Sequence, residues 1–255
     1  METKTFKYCG IEITVKEMSG AQQHDLTKGE GSKCGRILNV IRGVLVSVGN
    51  VTKFDDKFLN SLVEPFRKLI LIKSREITTE GTKYAGSFVH EFEYKNEKGR
   101  KDIHKVNIDL TQGFPKKSIV VSNNGTLEDA NYKEYSELDT TIVGTLPKAK
   151  VKVLIDMLDG LGEQAMENVK RKDRSTHLTL IGRNPRYLEE KTKTPIQINL
   201  NKAHPVDLAY MRDLIKEREG RIDTEYDFEH PENDGQFEVI DILGCIPFFY
   251  LSGTI

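Results

Sequence analysis

The residues of this chain with the chemistry to act as nucleophile, base or metal ligand are three cysteines, six histidines and an abundance of carboxylates. Nucleophilic catalysis needs a nucleophile, a base beside it and a group that orients the base. Cys34 with His24 is the cysteine–histidine combination to weigh, and neither residue sits in a sequence frame that such chemistry uses. A lone cysteine on an apolar helix reads as core. Ser175 and His177 stand too close along the chain to build a triad. There is no Gly-x-Ser-x-Gly, His-Glu-x-x-His, Cys-x-x-Cys or dinucleotide-binding fingerprint. Lys28-Gly29-Glu30-Gly31-Ser32-Lys33 lacks the Gly-Lys-Ser order of a phosphate cradle and reads as a plain connection. His90 and His104 fall on two strands predicted to pair, but a zinc site would want two more ligands and none is identifiable nearby. They read as paired surface histidines. Asp223, Glu225 and Asp227 are evenly spaced along one predicted strand face, the ordinary outcome of a half-solvated sheet and a poor signature for a divalent ion. The expectation is a non-enzymatic chain with no catalytic residue, no metal and no cofactor.

Composition narrows the partners. Lys and Arg number 38 against 39 Asp and Glu. Binders of nucleic acid or membrane surfaces usually show a basic excess, so neither partner is expected. A hydrophobic fraction of 37% beside 30% charged residues leaves much surface for water or for other subunits. No apolar run approaches the length of a membrane span. The opening METKTFKYCGIEITV has no apolar signal core. Cys9, Cys34 and Cys245 are odd in number and far apart, which predicts reduced thiols in a cytosolic protein. Lys170-Arg171-Lys172-Asp173-Arg174 is the one basic cluster; it reads as a solvated helix end, with an acidic partner as the alternative.

The elements that must position these residues follow from periodicity. Phe6 to Val15 alternates about Gly10 as a short hairpin. Ser19 is a candidate cap. Ile37, Ile41, Val44 and Val48 mark a helix from about Lys33 to Val48, Asp55 caps a short helix, and Pro65 begins another that ends near Ser74-Arg75. From Gly86 the period becomes two, giving a hairpin about Asn96-Glu97-Lys98-Gly99. Residues 113–139 are polar and predict an exposed excursion. Thr140–Leu146 and Lys150–Met157 read as strands joined at Pro147-Lys148, and Leu161–Val169 as a short helix. Asn184-Pro185-Arg186-Tyr187-Leu188 reads as a turn.

Pro205 opens a helix with Leu208, Met211, Leu214 and Ile215 on one face, Asp207 on the other and Gly220 as its stop. Ile222, Thr224, Tyr226 and Phe228 then share one face of a strand, paired across His230-Pro231-Glu232-Asn233-Asp234-Gly235 with Phe237–Leu243. After Asp241 no charged side chain follows in the sequence. Ile246, Pro247, Phe248, Phe249, Tyr250 and Leu251 are therefore a candidate partner-binding segment; folding back as an edge strand of the chain's own core is the competing reading. The predicted class is α+β: a helical N-terminal unit with a β-hairpin, a β-rich centre, and a C-terminal helix plus antiparallel hairpin. The corresponding segments are 1–85, 86–145 and 146–255.

Three stretches carry a family resemblance. They are Gly10-Ile11-Glu12-Ile13-Thr14-Val15-Lys16-Glu17-Met18-Ser19-Gly20-Ala21, then Ile70-Leu71-Ile72-Lys73-Ser74-Arg75-Glu76-Ile77-Thr78 followed by Phe92-Glu93-Tyr94, then Arg183-Asn184-Pro185-Arg186-Tyr187 with the Asp207–Glu219 helix, Phe237-Glu238-Val239 and Pro247-Phe248-Phe249. In this order and spacing the chain resembles the baseplate hub assembly proteins of contractile-tailed bacteriophages, a family of tail and baseplate assembly chaperones. Related sequences often carry a cysteine-paired zinc knuckle after the aromatic-acidic strand; here that place reads Lys95-Asn96-Glu97-Lys98-Gly99, a degenerate hairpin without cysteine. The resemblance implies a non-enzymatic viral protein that acts in the host cytoplasm during assembly of the tail, its partners being baseplate or tail hub proteins. A permanent structural subunit of the virion baseplate is the alternative within that reading. A small metal-binding module or an uncharacterised enzyme is the alternative of another class.

Overall fold

The computed structural model describes residues 2–28, 32–95, 100–123, 126–169, 177–189, 191–229 and 237–244. The N-terminal alternation forms β1 (Thr3–Tyr8) and β2 (Ile11–Lys16), antiparallel, with Tyr8 opposite Ile11. Cys9 and Gly10 between them both have positive φ, 52° and 83°, as a type I′ turn requires. α1 (Gly20–Lys28) starts on a capping box: Gln22 N–H donates to Ser19 Oγ at 3.3 Å and Ser19 N–H to Gln22 Oε1 at 2.7 Å. α2 (Lys33–Val44) is capped by Ser32 and stops short of its predicted end. Leu45-Val46-Ser47-Val48 instead becomes β3 (Leu45–Val48) and pairs with the free edge of β2. A branched, apolar run satisfies its backbone on a sheet edge as readily as in a helix, and the neighbouring strand decides.

α3 (Asp56–Ser61) begins under Asp55, whose carboxylate accepts from Phe58 N–H at 2.7 Å. α4 (Glu64–Thr79) has Pro65 in its first turn, as predicted, and buries Phe66, Leu69, Ile70 and Ile72. It continues past Ser74-Arg75 because the polar residues there have partners. Ser74 Oγ donates to Lys16 O at 2.7 Å, and Thr78 Oγ1 accepts from Met18 N–H at 2.7 Å. Arg75 is buried with Nη2 donating to Tyr84 O, and its guanidinium is drawn down to about 10 by that burial.

β4 (Ser87–Lys95) and β5 (Lys101–Asp109) form a two-stranded ribbon in continuous register. The prediction of an exposed excursion over 113–139 holds for many of its described residues but misses the side chains that anchor it. The stretch carries β6 (Lys116–Lys117), β7 (Val120–Asn123), β8 (Thr126–Asp129) and a 3-10 turn at Tyr135–Glu137. Ile119, Ala130, Tyr135 and Leu138 are buried. The segment is pinned by hydrogen bonds too: Tyr132 N–H donates to Cys9 O at 2.8 Å, and the Glu134 carboxylate accepts from Asn50 N–H at 2.9 Å. A few widely spaced apolar side chains suffice to hold a polar stretch against the core, and no periodicity announces them.

β9 (Thr141–Thr145) and β10 (Lys152–Asp156) form where strands are predicted, and they pair antiparallel. α5 (Gly160–Asn168) is capped by Asp159, and α6 (Leu178–Ile181) is a single turn. The stretch read as a turn at 184–188 instead supplies β11 (Arg186–Leu188), and with β12 (Pro195–Gln197) completes a sheet of order β12-β11-β10-β9. Three residues per strand are too few for alternation to register. α7 (Pro205–Arg218) lies across this sheet: a Cβ on Gly144 would fall 2.6 Å from Leu214 Cδ2 and 2.9 Å from the Tyr210 hydroxyl. Leu208, Met211, Leu214 and Ile215 are buried as their spacing predicts. Asp207, read as solvent-facing, is also buried; it accepts from Lys148 N–H at 2.7 Å and Ala149 N–H at 3.2 Å and so closes the β9–β10 turn.

Gly220 follows α7 where no side chain fits, since a Cβ there would meet the Tyr8 hydroxyl and lie 2.9 Å from Ile119 Cγ1. The end of α7 is capped from outside. Lys117 Nζ donates to Lys216 O at 2.5 Å and Glu217 O at 2.6 Å. Replacing Lys117 with methionine is expected to cost about 1 kcal/mol. Urea denaturation checks this; an unchanged midpoint would mean that water satisfies those carbonyls equally well.

The strand predicted over 222–228 is split. β13 (Arg221–Ile222) pairs with β6, whereas β14 (Glu225–Glu229) pairs with β15 (Phe237–Asp241). The break falls where Asp223 N–H donates to Pro115 O and Ile242 N–H to Thr224 O, both at 2.9 Å. The whole is a mixed α+β protein with an N-terminal hairpin and a C-terminal helix plus antiparallel hairpin. One cluster of buried residues draws on 1–85, 86–145 and 146–255 alike, from Tyr8 through Phe88 and Ile119 to Ile242. Among the described residues no helix is long and apolar enough to cross a membrane.

Candidate functional site

Cys34 is the described thiol with the most polar surroundings. It lies in the first turn of α2, its N–H donating to Glu167 Oε1 at 3.0 Å and its thiol to Gly160 O at 3.4 Å. Arg67, 2% exposed, brings Nη1 within 4.0 Å of the sulfur, but that guanidinium is committed to Glu163: Nη1 donates to Oε2 at 2.8 Å, and Nη2 lies 2.6 Å from Oε1. Burial, reinforced by the Glu163 charge, pushes the Cys34 thiol up to about 11. The thiolate is therefore scarce at pH 8. Iodoacetamide at that pH should leave Cys34 unmodified in the native protein and modify it in urea, as read by peptide mapping. Equal labelling in both would overturn the assignment of Cys34 as core. Cys9 is likewise buried and free, and burial raises its thiol.

The histidine pair does not align. His90 stands opposite Val106 and His104 opposite Phe92, so the two occupy different levels of the ribbon. The acidic trio is broken up by the same interruption that splits its strand: Asp223 precedes β14, and its carboxylate accepts from Glu225 N–H at 3.2 Å. Among the described residues no three His, Cys, Asp or Glu side chains converge as a metal ion would require.

The motif Arg183-Asn184-Pro185-Arg186-Tyr187 has a structural use that spacing did not disclose. Arg183 is 7% exposed and grips Glu219, with Nε at 3.1 and 3.0 Å from the two carboxylate oxygens and Nη2 donating to Oε2 at 2.6 Å. Glu219 Oε1 also accepts from Leu158 N–H at 2.6 Å, and Arg183 Nη1 donates to Thr179 O at 2.9 Å. Arg186 pairs with Asp156 across β10 and β11; burial raises the Asp156 carboxyl, and the Arg186 charge opposes that rise.

The predicted partner-binding residues Ile246, Pro247, Phe248, Phe249, Tyr250 and Leu251 lie outside the described residues, as do the basic cluster at 170–174 and Cys245. The structure does define the ground they leave from. Ile240 and Ile242 are buried, and Leu243 packs on the core. Asp241 Oδ1 accepts from Thr224 Oγ1 at 2.9 Å and from Leu243 N–H at 3.3 Å, while Lys33 Nζ stands 3.8 Å from Oδ2. The last described turn, Ile242–Gly244, thus follows a residue that contacts Thr224, just before β14, and Lys33 at the start of α2.

A second surface escaped sequence reasoning. On the ribbon, Phe88, Val106 and Ile108 turn inward, whereas Val89 and Ile103 on the opposite face are 48% and 55% exposed. Glu91 and Lys105 bridge at 2.7 Å between them. The alternation that predicts the hairpin carries this asymmetry, but not which face meets the core. No protein-family model matches this chain, and neither curated proteins nor solved structures give a match.

Proposed function

We propose that this chain is a non-enzymatic protein of contractile-tailed bacteriophages that acts in assembly of the baseplate hub through protein–protein contacts. The observation that carries the reading is the order and spacing of the three resembling stretches, which together span most of the sequence. The uncharged segment from Ile246 to Leu251 supports it, since an aromatic run of this kind anchors well in a partner's pocket. Its partner would be a baseplate or tail hub protein, met in the host cytoplasm while the tail is built.

Affinity capture of the tagged chain from phage-infected cells tests this. The expected result is co-purification of an identified hub or tail component, lost on deletion of residues 246–255 while the remainder stays folded by circular dichroism. Capture of no tail component would overturn the function, and an insoluble truncated chain would assign the segment to the chain's own core. Mass spectrometry of purified particles separates the two roles: absence points to a chaperone, presence to a permanent baseplate subunit. Stoichiometric zinc in the purified protein would contradict the degenerate knuckle and favour a metal-binding module.

A further inference from the structure

We draw no further inference here: the strongest candidate, the outward face of the β4–β5 ribbon with Val89 and Ile103 separated by the Glu91–Lys105 bridge, is an exposed sheet face, and nothing in the structure shows what covers it.

Discussion

Replacing Glu219 with leucine is expected to cost about 3–5 kcal/mol, the usual penalty for stranding one member of a buried ion pair. Arg183 would keep its charge with its carboxylate partner gone, and Leu158 N–H would lose its acceptor. The double variant Arg183→Met/Glu219→Leu should recover a large part of that loss, because no unpaired charge then remains inside. Recovery should be incomplete. Leu158 N–H and Thr179 O each lose a partner in the double variant, at about 1–3 kcal/mol for a buried group left unsatisfied. Urea denaturation of the wild type, both singles and the double closes the cycle. A single-variant loss below about 1 kcal/mol would show the pair to be effectively solvated. A double variant as unstable as the sum of the singles would show that the two side chains do not act on each other.

That ion pair shows where sequence reasoning stops. Periodicity found α7 and its buried face, because both are local properties of one helix. The cap at Asp55, the helix start at Pro65 and the hairpin about Gly10 were legible for the same reason: each is decided within a few residues. The partner of Arg183 lies 36 residues away, and no spacing rule reaches that far. Asp207 was misplaced by the same limit. On a helical wheel it belongs with the charged face, but the backbone of the β9–β10 turn supplies two donors, and a carboxylate so satisfied can be buried. α2 failed in the other direction, its last turn being claimed by the edge of β2. Of the candidate site, the sequence showed the aromatic segment at 246–251, and the structure adds how Asp241, Thr224 and Lys33 fix the turn before it.

The second large effect is expected at Tyr135. Its substitution by alanine should cost about 3–5 kcal/mol, since a large buried ring is lost and a cavity remains. The ring packs edge-on against Phe66, centroids 5.1 Å apart at 82°, and against Phe58 at 5.6 Å and 65°. Its hydroxyl donates to Ser61 O at 2.6 Å and accepts from Val63 N–H at 2.9 Å, so it splices the end of α3 to the start of α4. Tyr135→Phe keeps the ring and should cost about 1–3 kcal/mol for the orphaned Val63 N–H and Ser61 O. The two variants thus separate packing from hydrogen bonding at one position. Burial also holds the phenol above its ordinary value of about 10, so above that pH the folded state keeps a proton that the unfolded chain releases. This stability is fully present below pH 10 and falls as pH rises beyond it; Tyr135→Phe should lessen that alkaline loss, to which the buried Tyr8 phenol also contributes. If residues 113–139 were the solvated loop their polarity suggests, Tyr135→Ala would change stability by no more than about 0.5 kcal/mol, the range of ordinary surface substitutions. A denaturation midpoint that scarcely moves would therefore return this segment to the surface, and with it the aromatic contact between the central stretch and α4.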